Sequence, residues 1–344
     1  GACALEILSS MSEHEIRLSE AGSCAAFNRR QWLLGALAAG IPMLGEAQSQ
    51  SAEQTLRIGY IGPGKKPAYA TGWALQQGIL QRELSTLGFS QVVTRVFPNG
   101  PDLNEAFIAD HLDIGIYGDT PAVVAHAQGF QGKLLGFDCV GMNTWLLTPK
   151  AGIKTVEELK GKVVGVALGS YMHRFVLGLL RQHGLSGRVK VVHMLPRDGA
   201  PALERGDVAA FAAPINMGPL LAQQGFPVLA EAAQYPTLLG TSVIVISPKL
   251  LARLPQFPAT WGRARSIALG EIRSDSAAYL AFHAEASGFP VPAVKASVAL
   301  SNLPAQAYPE QGLHLISEAK RFLLNEKLVR KDFSVESWKI PGFS

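Results

Sequence analysis

Apolar stretches of two kinds alternate along most of this chain. Short runs rich in Ile, Val and Tyr, such as 56–62 (LRIGYIG) and 112–118 (LDIGIYG), have the length and composition of buried strands. Longer stretches with apolar residues at helical spacing, such as 172–184, lie between them. This alternation predicts an α/β fold with mostly parallel sheets covered by helices.

The alternation occurs in two series. The first runs over 56–140 and includes one expected helix at 68–84, and the second ends with the apolar, β-branched stretch 241–248. After that stretch the pattern is helical almost to the end, with interruptions at prolines. Two α/β series predict two lobes, with the chain crossing between them near 146–152 and near 241–247. We expect the helical tail to pack back on the first lobe.

The N-terminal region differs in kind. Paired arginines (Arg29 and Arg30) precede a short Ala/Gly-rich apolar run and a Gly-Glu-Ala sequence that ends at Ala47. This arrangement is typical of a cleaved export signal, which predicts a periplasmic protein. Because Trp32 and Leu34 depart from the usual twin-arginine pattern, the twin-arginine and Sec routes both stay open. The expected organisation is an export signal region at 1–47, the first part of lobe 1 at 48–148, lobe 2 at 149–244, and the second part of lobe 1 with the helical C-terminal tail at 245–344.

Composition narrows the function classes. The chain has 344 residues, is 48% hydrophobic and has a net charge of +4, without a block of Lys or Arg, so a nucleic-acid partner is not expected. Removal of the signal would leave Cys139 as the one cysteine, in an apolar setting that favours inert packing over a disulfide or a nucleophile. The eight histidines lack metal-ligand spacing, and no catalytic or dinucleotide-binding motif is present. We therefore expect no metal, no cofactor and no enzymatic activity.

Small and polar residues end five of the expected strands, and each of these junctions opens a helix. In a parallel sheet such junctions share the carboxyl edge, where open α/β folds bind ligands. Helix starts at that edge offer free amides and the positive end of the helix dipole. A cleft lined by such helix starts from both lobes therefore suits an anion or a polar head group. The junctions are 62–67, 98–101, 118–121, 169–171 and 196–199.

Three stretches resemble one family. The stretch 97–129 (FPNGPDLNEAFIADHLDIGIYGDTPAVVAHAQG) resembles substrate-binding proteins that serve ABC importers for sulfonates, taurine and nitrate. The stretch 152–180, where Gly-Ser precedes a helix bearing a His, is similar to their second-lobe opening, and 198–208 is similar to their next helix and strand. The resemblance covers roughly 55–250. It implies a two-lobed type II periplasmic-binding-protein fold and a monomer that carries a small organic anion, sulfonate first, to a membrane permease.

The resemblance also implies ligand contacts. They fall on Gly100, on Gly118, Asp119 and Thr120, and on Ser170 with the start of its helix, all hydrogen bonding to an anionic group. For Asp119 two other roles stay open, which are accepting a hydrogen bond from a ligand amine and capping the helix.

Other candidates come from their positions. Lys65 either neutralises an anion across the cleft or stands solvated in its loop. Tyr171 is placed to stack on a ligand or to hydrogen-bond it, and His173 lies on the first turn of the same helix. The remaining candidates, polar residues at junctions or crossovers, are Asn99, Asn143 and Asn216.

The chain departs from the family where relatives often carry a Trp-Asp-Pro-Tyr-like run. Here the stretch 213–217 reads APINM, without an aromatic residue or a carboxylate. That change makes one wall more apolar and leaves room for a bulkier organic anion. Alternatives are a carboxylate, a neutral pyrimidine or other heteroaromatic (favoured if Tyr171 and Trp145 face the cleft), a periplasmic enzyme on the same fold, and a receptor that feeds a sensor protein.

Overall fold

The computed structural model describes residues 54–344, which form two five-stranded sheets with helices packed against them. The expected export signal at 1–47 lies outside the described residues. Within 54–344, no helix has the length and apolar character needed to span a membrane. The strands are β1 (Gln54–Ile61), β2 (Phe89–Phe97), β3 (Ile114–Gly118), β4 (Lys133–Met142), β5 (Trp145–Leu147), β6 (Val163–Val166), β7 (Lys190–His193), β8 (Ala210–Ala213), β9 (Val228–Glu231) and β10 (Gly240–Ile246).

Helices connect most of these strands and make up the C-terminal part. They are α1 (Tyr69–Gln76), α2 (Ile79–Ser85), α3 (Gly100–Ile108), α4 (Asp119–Ala127), α5 (Tyr171–Gln182), α6 (Pro196–Arg205), α7 (Met217–Gln223), α8 (Pro248–Arg253), α9 (Phe257–Ser274), α10 (Ser276–Ser287), α11 (Val291–Ser297), α12 (Glu310–Asn325) and α13 (Val335–Trp338).

The first sheet has the strand order β2-β1-β3-β10-β4. Strands β1, β2 and β3 are parallel, with Ile58 opposite both Thr94 and Ile114. Strand β10 runs antiparallel to both of its neighbours, with Val243 opposite Tyr117 and Phe137. The three parallel strands therefore share one carboxyl edge, and the returning strand makes the sheet mixed.

The second sheet repeats this plan with the order β7-β6-β8-β5-β9. Strands β6, β7 and β8 are parallel, as Val164 lies opposite both Val191 and Ala210. The short strand β5 runs antiparallel to β8 and β9. The α/β class and the two-sheet architecture agree with the prediction from the alternating pattern.

The chain passes between the sheets earlier than expected. It first crosses at 143–144, because β5 already belongs to the second sheet, and it returns between Glu231 and Gly240, because β10 belongs to the first. The boundaries expected at 148 and 244 are therefore displaced. Both β5 and β10 are buried along their whole length, and a short buried apolar run does not reveal which sheet it joins.

The single helix expected over 68–84 is wrong. Helix α1 ends at Gln76 and α2 begins at Ile79, with Gly78 between them at φ +66°. A left-handed residue cannot continue a right-handed helix, and glycine takes this conformation at no steric cost.

The C-terminal helices contact elements that belong to both sheets. Helix α9 packs on α1 and α2, and α12 packs on α4, β4 and β10, all of which flank or form the first sheet. Helix α11 instead packs on α7, which belongs to the second layer. The tail thus bridges the two lobes in addition to covering the first.

Candidate functional site

A cleft of about 530 Å³ lies where the parallel strands of the two sheets end. Strands β1, β2 and β3 bring Ile61, Phe97 and Gly118 to one wall. The opposite wall comes from the starts of α5 and α6, through Tyr171 and Leu195. Carboxyl edges of parallel strands are where open α/β folds bind ligands, so this cleft is the candidate site.

The walls are mostly apolar and aromatic, with cations at the rim. Lys66 and Arg197 line the cleft and are exposed, and each faces a carboxylate at the loose distance of 3.8 Å, from Glu285 and Asp198 respectively. Exposed pairs of this kind contribute little and leave the cations available to a ligand. The larger apolar and aromatic lining residues are Tyr60, Tyr69, Phe97, Met142, Met172 and Phe289.

The first residues of α5 line the cleft. Ser170 is the N-cap, because its Oγ accepts a hydrogen bond from the His173 amide at 3.2 Å and donates to the Ala167 carbonyl at 2.6 Å. The next two residues, Tyr171 and Met172, both line the cleft. As the first amides of a helix, theirs have no partner inside it, so they are available to an anion.

Tyr171 is buried beside two glycines. A Cβ at Gly240 would lie 2.4 Å from its Cδ2 atom, so this glycine makes room for the ring, whereas a Cβ at Gly118 would make an ordinary contact at 3.4 Å from its Cδ1 atom. Its hydroxyl has no well-formed hydrogen bond to any residue of 54–344. Burial raises the pKa of Tyr171, with a smaller opposing effect from the backbone of Ile215. The hydroxyl is therefore neutral at pH 7.

A buried carboxylate on β4 borders the cleft. Asp138 is fully buried, and its Oδ1 accepts from Arg265 Nη1 at 2.8 Å and from the Thr71 hydroxyl at 3.1 Å. Its Oδ2 has no hydrogen-bond partner among the described residues. Burial raises the pKa of Asp138, and Arg265 and Thr71 act in the opposite direction.

The loop between β8 and α7 reaches across to the C-terminal helices. Asn216 has φ +64° and ψ −48°, and the Met217 amide donates to the Ile215 carbonyl at 2.8 Å, which is a strained γ-turn. The Asn216 amide donates to Ser297 Oγ at 2.6 Å, and its Nδ2 lies 3.5 Å from His283 Nε2. Burial lowers the pKa of His283 to about 4, so this imidazole is neutral at pH 7. Lobe 2 and the C-terminal helices therefore meet at this side of the cleft.

Three of the predicted ligand-binding residues line the cleft, namely Gly118, Tyr171 and Asn216. Two others cap the helices that open on it. Besides Ser170, Asn99 caps α3, because its Oδ1 accepts from the Asp102 amide at 2.8 Å.

The other predicted residues do not line the cleft. His173 is half-buried, accepts from the Gly169 amide through Nδ1 at 3.3 Å, and has its pKa lowered by burial. Gly100 permits close packing of α3 on α4, since a Cβ there would lie 2.4 Å from Pro121. Lys65 is exposed in its loop and does not border the cleft either.

Asp119 and Thr120, expected as ligand contacts, are buried and hydrogen-bonded within the protein, and neither lines the cleft. Asp119 is fully buried and its Oδ2 accepts from Arg174 Nη2 at 3.2 Å and from the Thr241 amide at 2.8 Å. Its Oδ1 accepts from the Thr120 hydroxyl at 2.8 Å. Because Arg174 lies on α5 and also donates to the Leu239 carbonyl at 2.9 Å, this cluster joins the two lobes. Asp119 does not cap α4 through its side chain either.

Asn143 lies at the crossovers and not in the cleft. Its Oδ1 accepts from the amides of Thr144 (2.9 Å) and Ala233 (2.8 Å), and its Nδ2 donates to Glu231 Oε2 at 3.0 Å. One side chain thus links the two connecting segments. Trp145, a candidate for facing the cleft, packs against Gly218 in lobe 2.

Residues 54–344 contain no cluster of three or more His, Cys, Asp or Glu side chains that could hold a metal ion. Cys139 is buried, and burial raises the pKa of its thiol to about 12. At neutral pH it is therefore a thiol and not a thiolate nucleophile.

Sequence reasoning missed several lining residues, and a signal existed for one of them. Asp138 is the one charged residue in the apolar stretch 134–142, and a lone charge in a buried strand requires partners. Tyr69 and His283 gave no such signal. Tyr69 lines the cleft and has a backbone φ of +60°, and its ring meets His283 edge-on at 5.4 Å between centroids.

The fold is that of periplasmic binding proteins. The alkanesulfonate-binding protein SsuA from Xanthomonas axonopodis pv. citri, in a structure bound to MOPS, matches 84% of this chain and 99% of its own with a TM-score of 0.70 and 23% identity. The desulfurization enzyme DSZB, in a mutant form in complex with biphenyl-2-sulfinic acid, matches 84% of this chain and 97% of its own with a TM-score of 0.68 and 18% identity. At these identities the likeness concerns the fold alone.

Sequence comparison points the same way. The family described as NMT1/THI5 like matches residues 92–257. A protein of Escherichia coli (strain K12) that carries a provisional name as an aliphatic sulfonates-binding protein is 30% identical over 167 residues, which are 48% of this chain and 50% of that protein. The chain therefore matches about half the length of this curated relative. The resemblance to sulfonate-binding proteins indicated by the three sequence stretches is confirmed.

Proposed function

We propose that this chain is the solute-binding protein of a bacterial ABC importer and captures a small organic sulfonate between its lobes. The observation that carries the proposal is the cleft between the two sheets, which the first two residues of α5, Tyr171 and Met172, line. The relatives named for sulfonate binding support the ligand class.

The electrostatics of the cleft favour an anion. Helix starts carry the positive end of the helix dipole, and the first residue of α5, Tyr171, lines the cleft and has a neutral hydroxyl. The exposed cations Lys66 and Arg197 add positive potential at the rim. The one buried carboxylate of the wall, Asp138, is already paired with Arg265. A sulfonate oxygen therefore meets donors and positive charge on the side of α5.

The rest of the ligand is an apolar body. Aromatic and aliphatic side chains make up most of the walls, and the stretch 213–217 supplies no carboxylate to grip an ammonium group. Burial of apolar surface contributes roughly 25 cal/mol per Å², so a larger apolar body gains affinity here. We infer an arylsulfonate or a bulky alkanesulfonate in preference to a small one.

Closure of the lobes follows from the position of the site. A ligand held by both walls binds the closed form better than the open form and shifts the population toward closure. A shift from 1:99 to 99:1 requires a difference in binding free energy of about 5.5 kcal/mol. In this proposal the two sheets with their helices are the lobes, the hinge lies at 143–144 and 232–239, and the closed form docks on the permease.

We propose a binding protein and not an enzyme, although the desulfurization enzyme DSZB shares the fold. The support is chemical, because the only cysteine among residues 54–344 is a buried thiol with a raised pKa. Recovery of the bound sulfonate unchanged after prolonged incubation tests this point, and release of a cleaved product would refute it.

The remaining parts of the proposal concern location and assembly. Residues 1–47 act as a cleaved export signal, the mature protein works in the periplasm as a monomer, and its partner is an ABC permease. Mass spectrometry of protein recovered from the periplasm tests the cleavage site after Ala47.

The experiment is a calorimetric titration of the chain from Gln48 onward with benzenesulfonate, an alkanesulfonate, nitrate, benzoate and 4-aminopyrimidine. We expect the sulfonates to bind tightest. At 100 times its dissociation constant, a ligand that binds only the folded state adds about 2.7 kcal/mol to stability, so a thermal shift gives a second readout.

A matched pair of variants locates the site. Gly118→Leu places a side chain in the cleft and should abolish binding, whereas Gly270→Leu, at an open position on α9, should leave it unchanged. Tight binding of benzoate or 4-aminopyrimidine without binding of any sulfonate would refute the proposed ligand class.

A further inference from the structure

The Asp138 cluster has two unmet hydrogen-bond requirements, at Asp138 Oδ2 and at Arg265 Nε, and the Asp138 side chain is the one that borders the cleft. Oδ1 of this buried carboxylate accepts from Arg265 at 2.8 Å and from the Thr71 hydroxyl at 3.1 Å, with the Thr71 amide at 3.4 Å. All three donors come from α1 and α9 and meet the same oxygen. Oδ2 is left without a donor among residues 54–344, although the side chain is fully buried and borders the cleft.

A buried carboxylate oxygen without a donor is unfavourable, and native structures seldom leave one unmet. Another buried carboxylate of the first lobe shows the contrast, since both oxygens of Asp119 accept hydrogen bonds from the protein. Asp119 does not border the cleft, whereas Asp138 does. The open position at Asp138 is therefore placed where a bound molecule can fill it.

We infer that the cleft contains a second polar subsite at Asp138 Oδ2, which accepts a hydrogen bond from a neutral N–H or O–H group on the ligand. The inference rests on the proposed function and deepens it, since it specifies an organic sulfonate with a donor group on its apolar body. Aromatic residues around the cleft favour an aromatic body. An aminoarylsulfonate combines the sulfonate, the aromatic body and a neutral N–H donor.

The donor is neutral for an electrostatic reason. Arg265 already balances the charge of Asp138, so a full positive charge on the ligand gains little there and loses its hydration. The neighbouring lining residues Tyr69, Met142 and His283 are also uncharged at pH 7, because burial raises the pKa of Tyr69 and lowers that of His283 to about 4. An aryl amine fits this environment better than an alkylammonium group.

The test compares ligands that differ by one group. The 3- and 4-amino isomers of aminobenzenesulfonate are titrated calorimetrically against the corresponding methylbenzenesulfonates, since methyl has the size of an amino group and donates no hydrogen bond. Hydrogen bonds to a charged acceptor are among the stronger ones, so we expect one amino isomer to bind about ten- to hundredfold tighter than its methyl partner. Taurine, with an alkylammonium group, should bind more weakly than that isomer.

Two variants locate the effect. In Asp138→Asn, Thr71 and Arg265 donate and therefore hold the amide oxygen, which turns the amide NH₂ toward the open position and should remove the preference for the amino ligand. The matched control is Asp113→Asn, which alters a buried carboxylate paired with Arg57 at 2.8 Å that does not border the cleft. The control should keep the preference. Should Asp138→Asn fail to fold, the comparison of ligands on the wild-type chain still decides the question.

The outcomes separate the two proposals. Equal affinity of the amino and methyl partners for the wild-type chain would overturn the donor subsite and leave the sulfonate proposal standing. Binding of 4-aminopyrimidine without any sulfonate, lost in Asp138→Asn, would support the subsite and refute the sulfonate proposal. Absence of binding by every one of these ligands would overturn both.

Discussion

Two buried carboxylate–guanidinium pairs in this chain have opposite surroundings. The pair Asp119–Arg174 joins the start of α4 to α5, and both carboxylate oxygens accept hydrogen bonds within the protein. The pair Asp138–Arg265 joins β4 to α9 inside the first lobe and leaves one oxygen without a donor at the cleft. The first pair, whose carboxylate is saturated, therefore serves the architecture, and the second pair, whose carboxylate is not, is available to a ligand.

The comparison shows why burial alone does not identify a site. Both aspartates are fully buried and both face an arginine, at 3.2 Å and 2.8 Å respectively. What separates them is whether the protein supplies a hydrogen-bond donor to both carboxylate oxygens, as it does for Asp119 and not for Asp138. A buried site residue is recognised by a polar atom for which the protein supplies no hydrogen-bond partner.

Breaking the pair Asp119–Arg174 should give the largest effect. Arg174→Met leaves Asp119 buried without its counter-charge and should lower the free energy of unfolding by about 3–5 kcal/mol, as measured by urea denaturation. The matched control is Arg181→Met on the same helix, whose exposed pair with Glu326 contributes about 1 kcal/mol or less. Equal small losses in both variants would contradict the structural role given to Asp119.

The next prediction concerns the pH dependence of stability that is linked to His283 beside the cleft. The folded-state pKa of His283 is about 4, below its ordinary value of 6.5, so the unfolded chain takes up a proton first as the pH falls. The stability linked to this histidine is thus fully present above pH 6.5 and is lost as the pH falls toward 4, to a limit of about 3 kcal/mol. Denaturation curves between pH 7 and 4 should show this loss in the wild-type chain and a smaller one in His283→Gln. An equal loss of stability between pH 7 and 4 in the two proteins would contradict the assignment of this loss to His283.

A smaller effect is expected from the unpartnered hydroxyl. Tyr171→Phe removes a buried hydroxyl that lacks a well-formed bond in the protein, so stability should stay the same or rise slightly. Sulfonate binding should weaken by about 1.5–3 kcal/mol, because the lost bond is to a charged ligand. The control, Tyr308→Phe, removes a hydroxyl that donates to the Leu134 carbonyl at 2.6 Å away from the cleft, and it should lose stability but keep affinity. A loss of stability without a loss of sulfonate affinity in Tyr171→Phe would contradict the assignment of Tyr171 as a ligand contact.

The smallest effect concerns the N-cap of α5. Ser170→Ala should cost about 1 kcal/mol of stability, since the His173 amide loses its acceptor. Ser170→Asn keeps a capping oxygen and should recover most of that loss. A fall in affinity without a fall in stability would instead indicate that Ser170 contacts the ligand directly.

The fold was largely predictable because its elements are encoded locally. Alternating strand and helix patterns identified two α/β series, and the glycine, proline and small polar residues at strand ends indicated helices that open on one edge. Gly118, Tyr171 and Asn216 do line the cleft. The helix over 68–84 failed because one glycine with a left-handed backbone divides it, which periodicity does not show.

The polar part of the site was less predictable because its partners are distant in sequence. Asp119 meets Arg174 and Thr241 across 55 and 122 positions, so its structural role became visible only in the fold. Asp138 meets Arg265 across 127 positions, and His283 reaches the cleft from the helical tail. Local pattern gives no information on such contacts.

The most direct measurement is a crystal structure of the chain bound to the amino isomer of benzenesulfonate that binds most tightly. We expect the sulfonate oxygens within hydrogen-bonding distance of the amides of Tyr171 and Met172, and the lobes closed over the ring. A sulfonate bound outside the cleft, or one directed at Asp138 in place of the start of α5, would contradict the proposed site.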